Sequence, residues 1–186
     1  MLFRSQLAAL GKPERVTSAA VEFVDIAGLV KGASQGAGLG NQFLGHIRNV
    51  DAVVLVLRAF EDPDVPPAGD RVDPLDDLET LDTELILADL ATTERRIEKV
   101  QGQAKARPRE FADQLAWLAK LRSHLNAGRP ARAYFAAMAD AGEAAHAEWL
   151  ADFNLLTARP RLFVVNVSEA DLRDQAGREE IGRAHV

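Results

Sequence analysis

The 186 residues contain no cysteine, so no disulfide, thiolate metal centre or thiol redox switch can form within them. Long apolar runs are missing too. Nothing approaches the roughly 20 consecutive apolar residues that cross a bilayer, and the amino terminus lacks the charged-then-apolar layout of an export signal. The expected compartment is therefore the cytoplasm, with no membrane partner. A third absence concerns chemistry. No G-x-x-x-x-G-K-[ST] phosphate loop occurs: Gly11-Lys12 is followed by Pro13, and Gln6 stands where the first glycine would be. Positive charge is also in short supply, since the formal net charge is −6. That excludes a chain that coats nucleic acid along its whole length and leaves room for a local basic patch. With 47% hydrophobic and 27% charged residues, the balance is that of a globular protein with one or two small cores.

What is present begins with Asp25-Ile26-Ala27-Gly28-Leu29, which follows the apolar Val21, Phe23 and Val24 and leads into glycines at 32, 36, 38 and 40. An Asp at the tip of a buried strand can hold Mg²⁺, and a Gly three residues later lets a bare backbone N–H approach a γ-phosphate, as in P-loop nucleotidases. The same spacing also ends many strands for reasons of turn geometry alone. The residue after that glycine would usually be a Gln that orients the attacking water. Here it is Leu29, whose side chain can neither hydrogen-bond water nor move a proton, so the catalytic residue is left unassigned. The 32–40 stretch follows this switch rather than opening a first strand–helix turn, which argues for flexibility and against a dinucleotide loop. His46 reads as a helix-surface histidine.

Three short apolar runs predict buried parallel strands: Ala19–Val24, Ala52–Leu57 and Leu162–Val165. Each ends in a polar residue, Asp25, Arg58 and Asn166, on the side of an open α/β sheet where ligands bind. Asp25 and Asn166 are expected to face one crevice. Gly40–Asn49, with Phe43, Leu44 and Ile47 at helical spacing, is the expected crossover. From about Thr80 the pattern turns helical. Ile86, Leu90, Thr93, Ile97, Val100 and Ala104 form one stripe, and after Pro108 a second runs through Phe111, Leu115, Leu118, Arg122 and Leu125, ending before Gly128 and Pro130. Two such helices bury their stripes against each other as an antiparallel hairpin. A third amphipathic piece is expected around Ala144–Phe153.

The stretch VEFVDIAGLVKGASQGAGLGNQFLGHIRNVDAVVLVLRAFEDPDV, then VDPLDDLETLDTELILADLATTERRIEKVQ, LNAGRPAR and NLLTARPRLFVVNVSEADL, closely resembles the YchF family of Obg-like, ribosome-binding nucleotidases. The likeness covers Gly11 to Leu172. It implies an α/β fold: part of a P-loop nucleotidase, three-layered with a mostly parallel sheet, and an inserted α-helical hairpin domain. The implied division is 6–79 for the first part of the nucleotide-binding domain, 80–156 for the helical insertion and 157–180 for the second part. In the family the phosphate loop and the first switch threonine would lie upstream of Met1, and a small carboxy-terminal domain downstream, so the chain is expected to be a fragment that binds nucleotide weakly or not at all. Residues 1–5 and 181–186 can be written in codons as one string and its reverse complement, apart from frame, and are expected to be flanking adapter sequence.

Residue by residue, the resemblance implies Asp25 for Mg²⁺, Gly28 for the γ-phosphate, and Asn166, Val167 and Glu169 near the base. Asn166-Val167-Ser168-Glu169 occupies the place of the Asn-Lys-x-Asp that reads guanine elsewhere. With Glu169 for the Asp and Val167 for the Lys, mispaired polar groups would cost about 1–3 kcal/mol each, and ATP is expected to be preferred to GTP as substrate. Many relatives carry a histidine proposed to aid hydrolysis where this chain has Pro67, a departure that bears on the rate. The expected partner is the ribosome, the large subunit foremost. Arg95, Arg96, Lys99, Lys105 and Arg107, together with Arg109, outnumber Glu94, Glu98 and Glu110 at the hairpin tip. They either form a solvated helical face or meet ribosomal RNA phosphates. The competing functions are an Obg-type GTPase in ribosome assembly and a non-enzymatic helical interaction module.

Overall fold

The computed structural model describes residues 11, 20–26, 39–64, 71–140, 149 and 153–169. In chain order they form helix α1 (Leu39–Arg48), strand β1 (Val53–Arg58), helix α2 (Pro74–Ala104), helix α3 (Ala112–Asn126), helix α4 (Ala131–Asp140), a 3-10 turn (Leu156–Ala158) and strand β2 (Arg161–Asn166). The two strands pair in parallel, Val53 opposite Arg161 and Arg58 opposite Asn166, with everything from α2 to the 3-10 turn inserted between them. Both lie within a residue of the runs read from the sequence.

The first expected strand is different. Residues 20–26 have no strand pairing, and Val21, Phe23 and Val24 are 78%, 79% and 58% exposed. A parallel strand is held by ladders to its neighbours, and among the described residues no strand lies beside this segment. Only Ile26 is docked, against Leu44, Ile47, Leu85, Ala88 and Leu156.

Alternation sets the two faces of the β1–β2 pair. Leu55 and Leu57 are buried against Leu78, with Phe163 and Leu81 alongside. Val54, Val56, Leu162 and Val164 point the other way and are exposed; of the expected three layers, the described residues supply the sheet and one cover. The helix expected over Gly40–Asn49 is present as α1, which precedes β1 and buries Leu44 and Ile47; with no described strand before it, α1 is not shown as a crossover.

Helix α2 begins at Pro74, upstream of Thr80, for a local reason. Asp73 accepts from Leu75 N at 3.2 Å and Asp76 N at 3.1 Å, proline suits the first helical position, and Asp76 and Asp77 favour the positive helix start. The amide of Asp76, foremost, holds the Asp73 carboxyl below its ordinary range. The helix then runs 31 residues. Its first half covers the strands; its second half buries Ile97 and Val100 against Trp117, Leu118, Leu121 and Leu125 of α3, which confirms the hairpin. In the second stripe Arg122 is exposed and Leu121 is fully buried in its place. The inward face of α3 thus keeps Leu118 and Leu125 as expected and adds Leu121 and Trp117; the Trp117 ring stacks on Phe135 at 6.5 Å and lies 6.2 Å from Tyr134 and Phe153. Helix α3 stops where Gly128 takes φ +71: Gly128 N bonds Leu125 O at 2.9 Å and Arg129 N bonds His124 O at 3.3 Å, the paired bonds of a glycine-terminated helix. Of the piece expected around 144–153, only 149 and 153 are described, and both pack into the aromatic cluster.

Polar groups join these parts. Asp89, 1% exposed, accepts from Leu156 N at 2.7 Å, Thr157 N at 2.8 Å and Thr157 Oγ1 at 2.6 Å. Thr157 Oγ1 in turn accepts from Ala131 N at 2.8 Å and so caps α4. One turn-pair earlier on α2, Asp82 is shared by Arg161 of β2 and, at 3.9 Å, by Arg132 of α4. Burial pushes the Asp89 carboxyl above its ordinary range against the pull of these hydrogen bonds.

Replacing Asp89 by Ala leaves two backbone N–H groups buried without acceptors, and stability in chemical denaturation is expected to fall by about 2–5 kcal/mol. His124 supplies a pH dependence. Its Nε2 lies 3.1 Å from Pro130 O, and burial, foremost, lowers its pKa below 6.5. The folded state therefore binds this proton less tightly than the unfolded chain. The contribution is complete above pH 6.5 and is lost as pH falls through the lowered value. Melting temperature is expected to drop on acidification in that window, and less steeply in His124→Gln.

Candidate functional site

The carboxyl edge of the strand pair is the place where an open parallel sheet presents its loops to a ligand, and the chain puts Arg58 and Asn166 there side by side. Ala59 N donates to Asn166 O at 2.8 Å, which extends the ladder one step and occupies the Asn166 backbone. The Asn166 side chain is exposed, Val167 and Ser168 are half-buried, and Glu169 is exposed. This puts an amide and a carboxylate three residues apart at a strand end; an amide can both donate and accept, and a carboxylate accepts N–H bonds.

Arg58 is turned back on the loop that follows β1. Its Nε donates to Phe60 O at 2.9 Å, and its guanidinium carbon lies 5.0 Å from the Phe60 ring centre. Asp62 Oδ1 then accepts from Asp64 N at 2.9 Å, a short side-chain turn. The root of this loop is therefore fixed from β1 itself, a role the sequence reading did not assign to Arg58; an Arg two residues before an aromatic at a strand end was the available sign.

Asp25 is exposed at the end of the 20–26 segment, beside the docked Ile26. Gly28, Leu29 and Pro67 lie outside the described residues, so of the switch only the carboxylate is placed. Among the described residues no group of three or more His, Asp or Glu side chains gathers as a metal cage. A lone carboxylate nonetheless suits Mg²⁺, which is commonly held by one or two carboxylates with the remaining ligands from phosphates and water. His46 is exposed on α1. Of the cations expected at the hairpin tip, Lys105, Arg107 and Arg109 lie there and are exposed, Arg107 pairing with Glu110 at 3.3 Å, whereas Arg95 and Lys99, exposed, and Arg96, half-buried, sit further back within α2. No helix among the described residues is long and apolar enough to cross a membrane.

Comparison with known proteins adds a likeness over most of the chain. Residues 8–89 match the family model described as 50S ribosome-binding GTPase. The chain is 40% identical over 178 residues to the Ribosome-binding ATPase YchF of Bacillus subtilis (strain 168), covering 96% of this chain and 47% of that protein. It is 43% identical over 164 residues to the protein of the same name from Escherichia coli O157:H7, covering 88% and 44%. Among solved structures, that of the Schizosaccharomyces pombe YchF GTPase superposes with a TM-score of 0.69 at 31% identity, over 96% of this chain and 48% of that one. The chain thus spans about half the length of the relatives it matches, and its strands and helices are part of an α/β P-loop nucleotidase fold.

The Arg58 clamp is open to direct measurement. A hydrogen bond and a cation–π contact together amount to about 1–2 kcal/mol, so Arg58→Ala is expected to speed hydrogen exchange at the Ala59 and Asp64 amides by roughly tenfold while exchange in α3 is unchanged.

Proposed function

We propose that this chain, which belongs to the YchF family of P-loop nucleotidases, serves as the base-binding and arm-bearing part of a ribosome-associated nucleotide hydrolase of the cytoplasm that prefers ATP to GTP. The observation that carries this reading is the pairing of Arg58 with Asn166 at the ends of two parallel strands, with Glu169 three residues on.

The roles follow from the chemistry of each group. Asn166 takes the purine edge through its amide, while Glu169 faces the base where guanine readers carry an aspartate. Guanine presents N1–H and an exocyclic amine that want a carboxylate at fixed reach; the longer Glu169 side chain and the apolar Val167 weaken that grip by about 1–3 kcal/mol per mispaired group. Gly28 allows a backbone N–H close to the terminal phosphate. Asp25 would hold Mg²⁺, which when bound neutralises phosphate charge. Leu29 leaves the water without a side-chain partner at the usual position, so turnover by this arrangement is slow unless a group from elsewhere orients it. The helical insertion assigned to 80–156, with the α2–α3 hairpin, is the arm by which the protein meets the large ribosomal subunit, with Arg95, Arg96 and Lys99 along α2 and Lys105 and Arg107 at the tip toward rRNA phosphates.

Two measurements test this reading. The 186 residues contain no lysine-bearing phosphate loop, so calorimetry with ATP is expected to show no micromolar binding; micromolar binding would overturn the assigned division of labour. In the product of a coding frame extended upstream of Gln6 to include such a loop, ATP is expected to bind about tenfold tighter than GTP, a difference of about 1.4 kcal/mol. A preference for GTP would favour the GTP-hydrolysing assembly factor instead.

A further inference from the structure

Where α1 ends against the middle of α2, two arginines converge on one neutral hydroxyl. Arg48 of α1 and Arg95 of α2 each direct an Nη2 at Thr92 Oγ1, both at 3.3 Å. The hydroxyl donates its own proton to Ala88 O at 2.9 Å, so its two lone pairs are filled by the two guanidinium groups and its orientation is set. A third arginine, Arg159, donates to the Arg48 carbonyl at 2.6 Å, which pins the backbone from which Arg48 projects. Like charges are thereby held side by side in a chain whose net charge is −6. Among the described residues no ion pair reaches Arg48, Arg95 or Arg159. Asp89 attracts Arg48 electrostatically, but both its oxygens are turned to Leu156 and Thr157. Planar guanidinium forks set side by side match the oxygens of a phosphate group.

We propose that Arg48, Thr92 and Arg95 form a phosphate-binding site that takes a backbone phosphate of structured RNA. Arg95 is exposed and Arg48 half-buried, so the ligand approaches from solvent along the outer side of α2. RNA rather than a free phosphate is the ligand because the site is continuous along α2 with Arg96 and Lys99, toward the exposed Lys105 and Arg107 of the tip. One anchored phosphate then sets the register for a strand running along the arm, a contact that positions without reading sequence. The inference rests on the RNA-contacting role proposed for the arm and locates its fixed end at the helix junction rather than at the tip.

The test is fluorescence anisotropy of a labelled RNA hairpin with the 186-residue chain, over a salt series, for wild type, Arg95→Gln, Arg48→Gln, the double variant and Arg71→Gln. Arg71 is exposed and pairs with Asp73, away from the junction. The double variant is expected to bind about tenfold more weakly, with the salt slope reduced by about 1 for each arginine removed; Arg71→Gln is expected to match wild type. Since Arg95 is exposed, Arg95→Gln keeps the test decisive if Arg48→Gln impairs folding as followed by circular dichroism. Unchanged affinity and slope in Arg95→Gln would overturn the site. Competition by inorganic phosphate as strong as by RNA at equal phosphate concentration would overturn the RNA source, and equal competition by polyglutamate would overturn phosphate as the ligand class. Co-sedimentation with large ribosomal subunits is measured alongside. Hairpin binding that needs Arg48 and Arg95 in a protein that does not co-sediment supports the site and removes the ribosomal partner.

Discussion

Asp89 collects hydrogen bonds from Leu156 N, Thr157 N and Thr157 Oγ1, groups 67 and 68 positions away, in a place with almost no water. A carboxylate so placed is costly unless its lone pairs are filled, and they are filled by one arrangement of the chain only. That arrangement sets the 3-10 turn against α2, which makes Leu156 available to the cluster of Leu44, Ile47, Leu85 and Ala88 and aims β2 along β1. Because Thr157 Oγ1 also receives Ala131 N, the same point fixes the start of α4. Strand, arm and returning chain thus meet at one buried acceptor. Apolar packing supplies most of the stabilisation, but packing alone permits slippage, and the hydrogen bonds select the register.

The second polar joint, at Asp82, lies seven residues earlier on the same face of α2, since seven residues make nearly two turns. Arg161 and Arg132 share it, and burial, foremost, with repulsion from Arg161, lowers the Arg132 pKa. Two joints on one face resist rotation about either of them. The pair holds the arm and β2 as one piece, so the position of Asn166 and the direction of the hairpin are set by the same helix.

Much of this was legible in the sequence, and the misses have physical causes. The strands at 53–58 and 161–166 were readable because a run of β-branched and leucine residues between turn-formers has few alternatives. The 19–24 run looks the same on paper, yet a strand exists only through its neighbours, and residues 20–24 find none among the described ones. The hairpin followed from its stripes, but Arg122 was placed inward where Leu121 belongs. A strict four-three alternation drifts on a real helix, and here the large Trp117 ring decides which side faces in. Asp73-Pro74 announced the true start of α2, but the apolar period was weaker there than beyond Thr80. Helix α4 was missed: ARAYFAAMAD is short, and its start depends on Thr157, whose partnership is invisible in a linear pattern. Asp89 was missed for a related reason. In a helix rich in Asp and Glu, nothing in one sequence marks the carboxylate that points inward. At the strand edge, the position of Asn166 at the end of β2 was legible from the apolar run before it, while the Arg58 clamp and the Arg48–Arg95 pair depend on chain reversals that only three dimensions supply.

Helix α2 also links the two regions assigned to function. Its 31 residues make a rod of about 46 Å at 1.5 Å per residue, with Gly102 its only glycine and Pro74 its only proline, at the start. Between the two joints and the tip no proline interrupts the helix. A load at the tip would therefore be carried to Asp82 and Asp89; Asp82 holds Arg161, the first residue of β2, and Asp89 holds the 3-10 turn just before it. A hinged arm would lose this connection, which is why the buried Asp89 matters more to such a protein than its share of stability alone suggests.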